Sequence, residues 1–125
     1  QGYADSQFVG SWKITAVSST IPWDWNGDGS AESNIYSTWT VCQKDNLYTF
    51  VGDATKTASF KLNCSTTADG NWRIINTQYL YYQPINQSPE SEKVISMTSI
   101  QFITSLDIIL PNGQPASIIK TWTRQ

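Results

Sequence analysis

The chain of 125 residues contains no histidine. That absence removes Ser-His-Asp and Cys-His catalytic sets, histidine zinc sites, and the side chain best suited to proton transfer near neutrality. Charge is scarce too: charged residues make up 14% of the chain and the net charge is −2. The cations, Lys13, Lys44, Lys56, Lys61, Arg73, Lys93, Lys120 and Arg124, are scattered, so no basic stripe exists for a phosphate backbone and no nucleic-acid partner is expected. No apolar run approaches the length of a bilayer-crossing helix. No cationic segment followed by an apolar one opens the sequence, so it is read as a mature or trimmed chain, with any lipid anchor outside it.

What is present is frequent turn chemistry without helical periodicity, the pattern of one all-β domain spanning 1–125. Strands are predicted near 8–18, 46–52, 57–63, 70–76, 78–84, 93–99, 102–110 and 115–124. Turns are expected at Gly52-Asp53, Asp69-Gly70, Asn76-Thr77 and Pro111-Asn112-Gly113. In TASFKLN, Ala58, Phe60 and Leu62 face one way while Ser59 and Lys61 face the other. Segment 86–92 reads as a polar loop, because Pro89 would interrupt a ladder. Segment 34–41 reads as irregular or briefly helical. Eight antiparallel strands with short links suit an up-and-down barrel, which leaves no exposed sheet edges; a β-sandwich is the alternative.

Cys42 and Cys64 are the only cysteines, and they lie equidistant from Asp53. A hairpin turning at Asp53–Ala54 therefore brings them together beyond its open end, where a disulfide can form. Two free, buried thiols are the competing reading. A bridge implies an oxidising compartment: periplasm, outer-membrane surface or cell exterior.

The stretch DWNGDGSAE places Asp24, Asn26 and Asp28 at positions 1, 3 and 5 of a loop, Gly29 at 6, the Ser30 carbonyl at 7 and Glu32 at 9. Calcium takes six to eight hard oxygens, often from alternate positions around such a glycine turn. An EF-hand would need a glutamate at position 12, where Ile35 stands, so the string is closer to the shorter calcium loops found between strands. A bare turn, with Asp24 and Asn26 bonding local amides, accounts for the same residues. Any calcium here is expected to be structural.

Six tryptophans are many for this length. If the first and last strands are neighbours, Arg124 can lie over the Trp12 ring and seal one barrel end by a cation–π contact. Phe60, Trp72, Tyr79, Tyr81 and Phe102 are candidates to line the interior, either around a ligand or as plain core filling. An exposed row of Tyr79, Tyr81 and Tyr82 would instead form a sugar-stacking platform.

Taken in order, FVGSWK (8–13), the DWNGDG insertion, CQKDNLYTF (42–50), Cys64, GNW (70–72) and KTWTR (120–124) resemble the lipocalin-like domains of bacterial exported proteins and lipoproteins. The resemblance runs over residues 8–124. It implies an eight-stranded barrel, a Cys42–Cys64 bridge and a small hydrophobic ligand in the cup. The chain is shorter than lipocalins with established ligands and lacks their central T-D-Y motif.

Two functions compete. One is a monomeric binding module for a small hydrophobic molecule or a sugar. The other is an interaction domain with a filled core, contacting a protein partner through the acidic loop and segment 34–41. Catalysis is not expected: Glu90 and Glu92, the nearest thing to paired carboxylates, fall in the Ser/Pro loop and read as solvated.

Overall fold

The computed structural model describes residues 2–52, 56–64 and 66–125, with the side chain of Thr66 also outside the description. The predicted turn at Asp53–Ala54 lies outside the described residues. Among the described residues nine strands form one sheet: β1 (Gly10–Trp23), β2 (Glu32–Asn34), β3 (Leu47–Phe50), β4 (Thr57–Leu62), β5 (Thr66–Ile75), β6 (Tyr79–Pro84), β7 (Glu90–Met97), β8 (Gln101–Ile109) and β9 (Pro115–Arg124). Neighbours pair antiparallel in the order β2-β1-β3-β4-β5-β6-β7-β8-β9, and β9 returns to pair with β1. The register Trp12↔Arg124 to Ser19↔Ile118 closes eight strands into a barrel, which excludes the sandwich. β2 is an extra strip on the outer part of β1, reached through Ser18↔Asn34 and Trp23↔Glu32.

Several boundaries differ from the sequence reading. β1 extends to Trp23, and β5 runs straight through Asp69-Gly70, so no turn forms there. Segment 86–92 is only partly a loop, because β7 begins at Glu90, immediately after Pro89. The proline stands just before the strand, where its missing N–H does not interrupt the ladder. Residues 34–41 give the end of β2, a 3-10 turn (Ile35–Thr38) and the start of helix α1 (Val41–Lys44). Asn34 caps the turn, and Thr40 with Gln43 forms a capping box on the helix.

Period-two alternation puts Tyr48, Phe50, Ala58, Phe60, Trp72, Leu80, Tyr82, Val94, Phe102 and Trp122 inside, all buried. Their rings pack in edge-to-face and tilted contacts. Trp12 meets Phe102 at 4.7 Å and Tyr48 meets Trp122 at 5.0 Å, while Phe102 stacks on Trp122 at 5.2 Å. Phe8 at 0% exposure plugs this end from outside the strands.

The segment between β2 and β3 is tied to the barrel. Cys42 and Cys64 are bridged, with Cα atoms 4.9 Å apart. Asp45 pairs with Lys13 at 2.7 Å and Lys61 at 3.7 Å, and Ile35, Tyr36 and Trp39 rest on the core. Replacing both cysteines by serine is expected to lower the unfolding free energy by about 3 kcal/mol, because the open chain regains loop entropy. Urea denaturation with and without the bridge measures this; an unchanged midpoint would contradict it.

Candidate functional site

Inside the barrel, away from Arg124, the aromatic packing gives way to polar groups. The Glu92 carboxylate is 1% exposed and accepts three hydrogen bonds. Thr104 Oγ1 donates to Oε1 at 2.8 Å, while the Tyr82 hydroxyl at 3.0 Å and Lys120 Nζ at 2.6 Å donate to Oε2. Trp122 Nε1 donates to Thr104 Oγ1 at 3.0 Å, so one bonded chain links core to carboxylate. Glu92 therefore corrects the sequence reading: it is a buried structural anion, not a solvated loop residue. A buried carboxylate survives only when paired and hydrogen-bonded, and here both conditions are met.

A cavity of about 290 Å³ opens above this network, lined by Tyr48, Leu62, Tyr82, Pro84, Gln87, Ser88, Glu90 and Lys120. Six of these side chains occupy inward positions of β3, β4, β6, β7 and β9, so the space is the mouth of the barrel; Gln87 and Ser88 come from the β6–β7 loop. Burial pushes the Tyr48 phenol up to about 12, against a hydrogen bond with Asn46 that lowers it. Burial, with the Glu92 charge behind it, holds the Tyr82 phenol well above its ordinary value of 10.0. Both phenols are neutral near pH 7, and that of Tyr82 donates to Glu92. A larger depression of about 580 Å³ lies along Thr20, Asp107–Ile109 and Pro115–Ser117. It takes in both faces of the β8–β9 hairpin, so it is an external saddle rather than barrel interior.

The predicted interior residues separate into two groups. Phe60, Trp72 and Phe102 are at most 1% exposed and belong to the packed core below the cavity. Tyr79 and Tyr81 do not face inward: Tyr79 is 37% exposed, and Tyr81 lies on the outer face under the Arg73 guanidinium, 4.4 Å from its ring centre. Tyr82 points the opposite way and is buried, so the three tyrosines form no exposed row. Lys120, Glu92, Thr104, Tyr48 and Tyr82 form a group that the sequence reading does not assemble. The available signal is the alternation of Glu90, Glu92 and Val94, which puts both carboxylates on the face of a buried valine.

The barrel-closing pair is present. Arg124 lies 4.3 Å from the Trp12 ring centre and donates to the carbonyls of Ser99, Val9 and Gln7 at 2.8, 2.7 and 3.2 Å. Gly10, at φ +129°, sits where a Cβ would come 2.5 Å from Arg124 Nη1, which explains a glycine two residues before Trp12.

At the acidic loop, Asp24 Oδ1 and Oδ2 accept from the Asp28 and Gly29 amides, Asn26 Oδ1 accepts from Asp28, and Asp28 Oδ1 accepts from Ser30. One carboxylate oxygen each of Asp24, Asp28 and Glu32 lies within 4.8 Å of the others. Glu32 Oε1 is covered yet has no hydrogen-bond partner among the described residues. The Gly29 amide leads the contacts that hold Asp24 below the ordinary carboxylate range. Glu32 moves the other way, raised first by desolvation and then by the Asp28 and Asp24 charges. Ser30 joins the loop's bonding through its amide.

No family model matches the chain, and no curated protein matches it by sequence. Among solved structures, a bovine odorant binding protein complexed with its natural ligand matches with a TM-score of 0.51 at 11% identity, covering 100% of this chain and 76% of that one. The same bovine protein in complex with a selenium-containing odorant matches equally. Among the described residues no helix is long and apolar enough to cross a membrane. With eight antiparallel strands closed by β1–β9 pairing, one bridge and these neighbours, the fold is a lipocalin-like barrel.

Proposed function

We propose that the chain is a non-enzymatic, exported binding domain that holds one small hydrophobic molecule in the mouth of its barrel, with calcium as a structural ion at 24–32. The observation that carries the reading is the cavity of about 290 Å³ on the inward face of an otherwise packed barrel. It lies at the lower end of ligand-pocket sizes, and at roughly 30 Å³ per atom it suits a guest of about ten non-hydrogen atoms. The bovine neighbour holds its natural ligand in one structure and a selenium-containing odorant in the other, which is consistent with a small guest. Glu92 already accepts three hydrogen bonds, which argues against its acting as a catalytic base. Export to periplasm, outer-membrane surface or cell exterior is supported by the disulfide.

Native mass spectrometry of protein purified from its own host tests this. A retained apolar molecule below about 200 Da is expected, the mass that about ten non-hydrogen atoms allow. A bare polypeptide that also takes up no added small apolar compound would overturn the reading.

Calcium at the loop is supported by the convergence of Asp24, Asp28 and Glu32 and by the unpartnered Glu32 oxygen. Without an ion, a raised Glu32 pKa means its contribution is complete below the unfolded value and lost as pH rises through the folded one. Bound calcium needs the deprotonated carboxylate and reverses that dependence. Calcium is therefore expected to raise the melting temperature at pH 7, and the rise should shrink as pH falls through the Glu32 titration. Glu32→Gln should abolish it while leaving the calcium-free melt equal or higher. Identical melts in EDTA and millimolar calcium would remove the ion from the account.

A further inference from the structure

The geometry points to a cationic apolar guest: a small molecule with a protonated amine, selected by Glu90 at the rim of the mouth cavity. The inference rests on the ligand-binding reading above and specifies its chemistry. Three charged groups belong to the cavity and its floor, Lys120, Glu92 and Glu90. Lys120 is spoken for by Glu92 at 2.6 Å, and that carboxylate is fully covered and saturated with donors. Glu90 is different. It lines the cavity half-buried, in register with Tyr82, and among the described residues its carboxylate has no ion-pair or hydrogen-bond partner. The lining thus carries one uncompensated negative charge, half-buried against packed side chains, where charge counts for more than in bulk water. The Tyr48 and Tyr82 side chains line the same cavity, and aromatic rings also favour a cation. An alkyl carboxylate, the commonest small amphiphile, would set a second anion beside Glu90.

Three eight-carbon probes that differ only in head group test the assignment: octylammonium, 1-octanol and octanoate, titrated at pH 7 and low salt and followed by heteronuclear NMR. Octylammonium is expected to bind most tightly and octanoate least, with at least about tenfold between them. Glu90→Gln should bring all three within about threefold. The substitution leaves the Lys120–Glu92 pair intact, and an unchanged melting temperature checks the fold. Octanoate binding as tightly as octylammonium, or an amine preference that persists in Glu90→Gln, would overturn the inference. If 1-octanol binds without any amine preference, the cavity reading stands and this inference alone fails. If none of the three binds, the cavity reading itself fails.

Discussion

Lys120→Met is expected to cost about 3–5 kcal/mol of folding stability at neutral pH, and Lys120→Met/Glu92→Gln to recover most of that loss. The asymmetry follows from where the two charges lie. Glu92 is wholly covered while the Lys120 side chain keeps 17% exposure, so removing the lysine strands an anion that has no route to water. Tyr82 and Thr104 remain as donors, but two neutral hydrogen bonds do not offset a lost counter-charge. Replacing both partners with neutral groups of similar shape avoids the stranded charge, and the amide introduced by Glu92→Gln can still accept from Thr104. Urea denaturation of the two variants and the parent, each unfolding in one step, gives the comparison. A single variant within about 1 kcal/mol of the parent would mean that the carboxylate is solvated after all.

Arg124→Ala is expected to lower stability by roughly 3–4 kcal/mol, and Arg124→Lys to recover less than half of it. One guanidinium serves three carbonyls from two separate segments, Gln7 and Val9 before β1 and Ser99 between β7 and β8, while its plane covers Trp12. A lysine ammonium supplies a charge but no planar fork. The loss should also couple to Trp12. In a double-mutant cycle with Trp12→Phe, an interaction energy of about 1 kcal/mol is expected for the ring contact. Strict additivity would mean that Arg124 acts through the carbonyls alone.

Local patterns are legible from residues alone, and long-range partnerships are not. β4 declares itself through alternation, and the Trp12–Arg124 closure follows once the first and last strands are taken as neighbours. The bridge follows from the placement of Cys42 and Cys64 about one hairpin. The start of β7 is hidden, because Pro89 and the run of Ser and Glu mimic a solvated loop. A carboxylate is normally exposed, and only partners far along the chain, Thr104 and Lys120, make its burial tolerable. The cavity is illegible for the same reason, since its walls come from five strands. Ring size alone points Tyr79 and Tyr81 inward; the register that places Leu80 and Tyr82 inside turns them out.

Among the described residues, buried aromatic rings fill the barrel interior towards Trp12, and the mouth cavity lies at the Lys120 end, where we propose that a small apolar guest enters. A crystal soaked with 1-bromohexane and measured at the bromine absorption edge tests that division directly. An interior anomalous peak is predicted among Tyr48, Leu62, Tyr82 and Pro84, with Trp72 and Phe102 unmoved. No interior peak, or one seated between Phe60, Trp72 and Phe102, would contradict it.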